Sequence, residues 1–188
     1  LSMVAASKGY SIILTMPETM SDERKKILQA FGAKLVLTPG SEGMSGAINR
    51  AEEIMNSDPD KFFMPQQFNN PSNPDVHSRT TAQEILESVG KDIDCFVSGV
   101  GTGGTITGIG RVLKKEIGNI DIVAVEPEES PFLSIGKKGT HKIQGIGTGF
   151  IPNVLDTSII DKIITVNYRE ASEIARMIAR KEGILVGI

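Results

Sequence analysis

The sequence predicts an α/β fold of two lobes, with parallel-rich sheets covered by helices. Three observations lead there. Short apolar runs of strand length alternate with amphipathic helical periods along nearly the whole chain, the pattern of parallel sheets with helical crossovers. The alternation lapses clearly at residues 66–74, Gln-Gln-Phe-Asn-Asn-Pro-Ser-Asn-Pro, a stretch of amides and prolines that reads as the crossing between lobes. The third observation is size: 188 residues with 39% hydrophobic content suffice for one ordinary domain or two small lobes with real cores.

Taken in order, Leu1, Val4 and Ala5 form the apolar face of a helix that runs into Gly9 with no capping residue before it. Residues 11–16 read as a strand stopped by Pro17. Ser21 caps a helix with Asp22 and Glu23 at its positive end, Ile27, Leu28 and Phe31 on one face, and Gly32 as a left-handed stop. A strand at residues 34–38 follows. Met44, Ala47, Ile48, Ala51, Ile54 and Met55 then mark a second amphipathic helix, closed by Asn56-Ser57-Asp58-Pro59, and residues 62–64 are expected as a short buried strand. The lobe boundary is placed after residue 70, giving lobes of 1–70 and 71–188. Beyond it the pattern predicts a helix over 76–88, a strand at 93–97, a helix over 105–117 and a strand at 121–126. A Gly- and Lys-rich segment over 130–148 precedes a last strand at 163–166 and a helix over 169–182. The helix entered midway at Leu1 and the apolar run ending at Ile188 read as cut ends.

Charge narrows the function classes. Twenty Lys and Arg against 23 Asp and Glu leave a net charge of −3 with no run of one sign, so no basic stripe invites nucleic acid. One cysteine makes no internal disulfide, and no apolar stretch is long enough to span a membrane. With no secretion signal at the start, a cytoplasmic protein acting on small molecules is expected. Cys95, inside an apolar run, reads as a small core residue, and His77 and His141 stand too far apart for a metal site.

The sharpest chemical signal is Ser98-Gly99-Val100-Gly101-Thr102-Gly103-Gly104-Thr105, between a buried strand and a helix whose stripe is Ile106, Ile109, Val112 and Leu113. Glycines let consecutive backbone N–H groups curl inward, the helix adds its positive end, and threonine hydroxyls add donors, which together suit a phosphate dianion. No Gly-Lys-Ser or Gly-Lys-Thr follows, so this is not a P-loop of the nucleotide hydrolases. Gly99, Gly101 and Gly104 also satisfy the dinucleotide fingerprint, with Glu126 ending the next strand where a ribose-binding acid would stand, so on pattern alone that reading stays open.

Longer wording separates the two. GVGTGGTITGIGRVLK, QQFNNPSNPDVH, EPEESP, HKIQGIGTGFIP and the ending EGILVGI, in that order across essentially all 188 residues, closely resemble the cysteine synthase (O-acetylserine sulfhydrylase) family. The resemblance implies a pyridoxal phosphate enzyme of fold type II, tryptophan synthase β-like, that replaces the acetate of O-acetylserine with sulfide. It implies that Gly101, Thr102, Gly103, Gly104 and Thr105 bind the cofactor phosphate, that Gln67 helps bind the substrate carboxylate, and that Phe68 and Gly145 line the same cleft. Glu126 then loses its ribose role. The family's Schiff-base lysine and its Thr-Ser-Gly-Asn-Thr substrate loop are expected before Leu1, and its pyridine-bonding serine after Ile188, which leaves no catalytic residue in this chain. Lys137, Lys138 and Lys142 lie in a loop, where solvated lysines are poor imine formers. The resemblance further implies a homodimer at full length and a possible partner in serine acetyltransferase. Alternatives are a cystathionine β-synthase-like or threonine dehydratase-like relative, or a non-catalytic module that binds a phosphate ligand.

Overall fold

A computed structural model describes residues 1–188, and its contacts divide them into two compact units, Leu1–Pro65 and Gln66–Ile188, each with its own parallel sheet. The first unit runs α1 (Ser2–Lys8), β1 (Ile13–Pro17), α2 (Asp22–Ala30), β2 (Lys34–Thr38) and α3 (Gly43–Ser57). β1 and β2 pair in parallel, with Leu14 opposite Leu35 and Met16 opposite Leu37, a pairing that requires the crossover α2 supplies. The Ser21 hydroxyl accepts from the Arg24 amide and starts that helix as expected. Within this unit α2 fully buries none of its residues, and Ile27 stays 57% exposed. The short strand expected at 62–64 is absent. There the Lys61 and Phe62 amides turn back to the Asp58 carbonyl, and Phe63 stands 84% exposed, so three apolar residues with no ladder beside them follow a turn as irregular chain.

The second unit contains α4 (Ser72–Arg79), α5 (Thr81–Val89), β3 (Cys95–Gly99), α6 (Gly104–Ile117), β4 (Asp121–Pro127), α7 (Phe132–Ile135), β5 (Lys162–Val166) and α8 (Tyr168–Glu182). Its strands lie in the order β3-β4-β5, all parallel, with Val97 opposite Val123 and Val125 opposite Ile164. Central β4 buries Ile122, Val123 and Ala124, and of these Ile122 and Ala124 pack with Ile106, Ile109 and Leu113 of α6 in the core. β3 is an edge strand. Its Phe96 packs against that core, while Cys95 and Val97 occupy the alternate, exposed face, which corrects the expectation that Cys95 is a core residue.

Two further differences sit near the site. The single helix expected over 76–88 is two, broken at Thr80 and beginning at Ser72, because a proline such as Pro74 in the first turn needs no amide partner. The units divide after Pro65 rather than after residue 70, since the strap at 66–70 bonds into the second unit. There the Val154 amide donates to the Phe68 carbonyl at 3.1 Å and the Asn153 side chain donates to Asn69 Oδ1 at 2.8 Å.

Candidate functional site

Parallel pairing delivers the end of β3 to the start of α6, and the turn between them is the glycine loop. Val100, 3% exposed, extends the ladder by donating its amide to the Val125 carbonyl at 3.0 Å. Gly103 caps α6 with φ of 81°, in the left-handed region that glycine takes without strain, and its carbonyl accepts from the Thr107 amide. The helix that follows has 14 residues, enough for a well-formed positive end directed at the loop.

The glycines prove to be required by the protein's own packing. A Cβ on Gly101 would strike the Gly145 carbonyl, one on Gly103 would lie 2.7 Å from the Leu155 side chain, and one on Gly104 would collide with the Asn73 amide. Glycine count alone therefore says less about a ligand than the sequence suggests, and the hydroxyls carry more of the argument. Thr102 Oγ1 accepts from Asn73 Nδ2 at 3.0 Å and from the Gly104 amide at 3.3 Å. Thr105 is exposed, and its hydroxyl lies 3.2 Å from His77 Nε2.

The other residues singled out by sequence gather around this loop. Gln67 has an exposed side chain, and its carbonyl accepts from Asn73 Nδ2 at 2.9 Å, so one amide ties the strap to Thr102. Phe68 is half-buried and meets Phe150 edge to face, with ring centres 5.2 Å apart at 72°. Gly145, with φ of 95°, lies against Gly101. Two residues on, the Gly147 amide donates to the Val100 carbonyl at 3.0 Å, and the Gly147 carbonyl lies 3.0 Å from His141 Nε2. Asn73 and His77 were not recognised as site residues from sequence. The available signal was their four-residue spacing, which puts both on one face of α4 and matches the spacing of Gly104 and Gly108.

Glu126 does not face a ribose. It is 1% exposed, and its carboxylate accepts from the Leu133 amide at 2.7 Å and from the Ser134 amide and hydroxyl, so it holds the start of α7. Of the three loop lysines, Lys142 lies over the Tyr168 ring at 5.5 Å, while Lys137 and Lys138 are exposed. The cavity bounded by Val100, Glu126, Ser130 and Phe150 holds only about 10 Å³, too little for anything beyond one water.

Electrostatics pin the back of the loop. Arg111 of α6 reaches Asp156 Oδ2 through both Nε and Nη2, at 2.9 and 2.8 Å, and the Asp156 amide donates to Thr107 Oγ1 at 3.0 Å. Hydrogen bonding from the Ser158 hydroxyl, and then from Arg111, holds the Asp156 carboxyl below the usual carboxylate range. Leu155, the neighbour of Asp156, is the side chain that fills the space beside Gly103.

Known proteins resemble this whole chain. A family model described as pyridoxal-phosphate dependent enzyme matches residues 1–188. A cysteine synthase of Staphylococcus aureus is 57% identical over 189 aligned residues, which cover all of this chain and 60% of that protein. Among solved structures, a cysteine synthase from Entamoeba histolytica superposes with a TM-score of 0.92 at 43% identity, over 99% of this chain and 55% of that one. An O-acetylserine dependent cystathionine β-synthase from Helicobacter pylori superposes with a TM-score of 0.92 at 41% identity, over all of this chain and 60% of that one. The chain thus spans about 60% of the length of the curated relatives it matches.

Proposed function

Since the chain belongs to the pyridoxal-phosphate dependent enzyme family, we propose that the protein containing it is a cysteine synthase that converts O-acetylserine and sulfide to cysteine and acetate. The observation that carries this reading is the 57% identity to a cysteine synthase, sustained over the whole chain. The local chemistry agrees with a cofactor phosphate. Both lone pairs of Thr102 Oγ1 are occupied by donors, so its single proton is left to bind an anion. Thr105 presents a second hydroxyl from the first turn of α6, where the helix end favours negative charge.

In this reading Gly101, Thr102, Gly103, Gly104 and Thr105 hold the phosphate through backbone amides and two hydroxyls. When bound, the pyridoxal ring supplies the electron sink that lets the β-carbon of the substrate exchange acetate for sulfur. The exposed Gln67 amide donates to the substrate carboxylate and so fixes the position of the β-carbon. Phe68, braced on Phe150, and Gly145 form the wall that excludes water. The lysine that joins the cofactor aldehyde belongs to another part of the full-length protein. Homodimerisation and pairing with serine acetyltransferase follow from the family resemblance, and a cytoplasmic location from the single cysteine, and these complete the reading.

The test is an assay of the full-length protein with O-acetylserine and sulfide, run beside O-acetylserine and homocysteine. Cysteine with equimolar acetate is expected. Preferential formation of cystathionine would move the protein to the other branch of the same family.

A further inference from the structure

Helix α4 lies against the phosphate loop, and two of its side chains reach the loop's threonines. Asn73 and His77 lie four residues apart, hence on one face of α4. Opposite them, Gly104 and Gly108 lie four apart on α6. A Cβ at Gly104 would collide with the Asn73 amide, and one at Gly108 would strike the Pro74 carbonyl and sit 2.8 Å from His77 Cβ. The Ser78 hydroxyl donates to the Gly108 carbonyl at 2.9 Å and locks the register. Two glycines thus clear a seat in which α4 sets one polar side chain on each threonine of the loop.

Proton bookkeeping gives this seat a direction. Asn73 Nδ2 donates both to the Gln67 carbonyl at 2.9 Å and to Thr102 Oγ1 at 3.0 Å. A carbonyl can only accept, so it is the NH₂ end of the Asn73 amide that faces this way. With the Gly104 amide as second donor, Thr102 Oγ1 has both lone pairs engaged and its proton points elsewhere. At the other position, His77 Nδ1 lies 3.0 Å from Thr81 Oγ1 and Nε2 lies 3.2 Å from Thr105 Oγ1. If Nε2 carries the proton, it donates to Thr105 and Nδ1 accepts from Thr81. The Thr105 hydroxyl then keeps its own proton for another acceptor.

We propose that Asn73 and His77 are positioning residues, one turn apart on α4, that orient the Thr102 and Thr105 hydroxyls as donors to the cofactor phosphate. Neither touches the cofactor. Both act by spending the acceptor capacity of a threonine, so the hydroxyls are set before the anion arrives and need no reorientation on binding. The proposal rests on the phosphate reading of the loop, and its test separates the two.

The experiment measures binding of pyridoxal phosphate and of pyridoxal, which lacks the phosphate, to the full-length protein freed of cofactor. The ratio of the two affinities reports the phosphate contacts alone, because any damage to folding or to the aldehyde linkage weakens both ligands. His77→Ala and Asn73→Ala are each expected to lower the ratio about tenfold, the scale of one misdirected hydrogen bond to a charged group. His77→Gln, whose amide can still donate to Thr105, is expected to retain most of it. Nitrogen-15 spectra of His77 give a reading independent of ligand, with the proton expected on Nε2. A wild-type protein that binds both ligands equally would overturn the phosphate reading itself. A wild-type preference for pyridoxal phosphate that survives both substitutions, or a His77 proton found on Nδ1, would overturn the positioning proposal and leave the phosphate reading standing.

Discussion

Two pairs of glycines, one pair in each unit, are needed for opposite reasons. In the first, Gly9 and Gly32 end helices with φ of 72° and 80°, and a Cβ on either would meet nothing within 4 Å. In the second, Gly104 and Gly108 lie inside α6, where the absent side chains are what lets α4 approach. One pair is needed for backbone angle and the other for space. A glycine-rich loop is therefore only partly a ligand signal, because the neighbours that demand these glycines are themselves protein.

The largest expected effect tests that contrast directly. Gly108→Ala should destabilise the full-length protein by about 3 kcal/mol, the upper range for overpacking, because the Pro74 carbonyl opposite is backbone and cannot step aside. Gly32→Ala should cost about 1 kcal/mol, the strain of a left-handed residue with a Cβ. Urea unfolding of both variants measures the difference, and equal losses would break the comparison.

A smaller effect is expected at Asp156, which holds the loop's supporting segment on α6. Its carboxyl is held below the ordinary value by Ser158 and Arg111, so it contributes stability at pH above the unfolded value of about 4 and loses it as pH falls through the lowered folded one. Asp156→Asn should therefore cost about 1–2 kcal/mol near neutral pH. The gap between variant and wild type should close in unfolding curves taken progressively below about pH 4.

The smallest belongs to the first unit. Ser21→Ala removes the cap of α2 and should cost about 0.5–1 kcal/mol. Because α2 fully buries none of its residues there, hydrogen exchange should quicken in α2 alone and remain unchanged in α6.

Much of the fold was legible because period and punctuation agreed. β2 lies over Lys34–Thr38 as its apolar run predicts, and α6 follows its stripe of Ile106, Ile109 and Leu113 into the core. The failures share a cause, which is that local pattern does not reveal the partner. Residues 62–64 are apolar enough for a strand but have no ladder, and Cys95 is on an apolar strand whose outer face is open. Pro74 reads as a breaker when its place in a first turn makes it harmless. Of the proposed site, the loop and Gln67 were readable as wording. Asn73 and His77 were not, because their meaning depends on Gly104 and Gly108 about 30 residues away in the chain.

The central claim is that the loop at 101–105 holds the cofactor phosphate while Gln67 serves the substrate, and one paired measurement tests it. In the full-length protein, bound pyridoxal phosphate per chain and kcat/KM for O-acetylserine are determined for Gln67→Ala and for the double variant Thr102→Ala, Thr105→Ala. Gln67→Ala should keep its cofactor and lose about one to two decades in kcat/KM, the loss of a hydrogen bond to a carboxylate. The double variant should lose its cofactor by two orders of magnitude or so in affinity, from two such bonds to the phosphate. A Gln67→Ala protein that sheds its cofactor, or a double variant that retains it at wild-type affinity, would contradict the assignment.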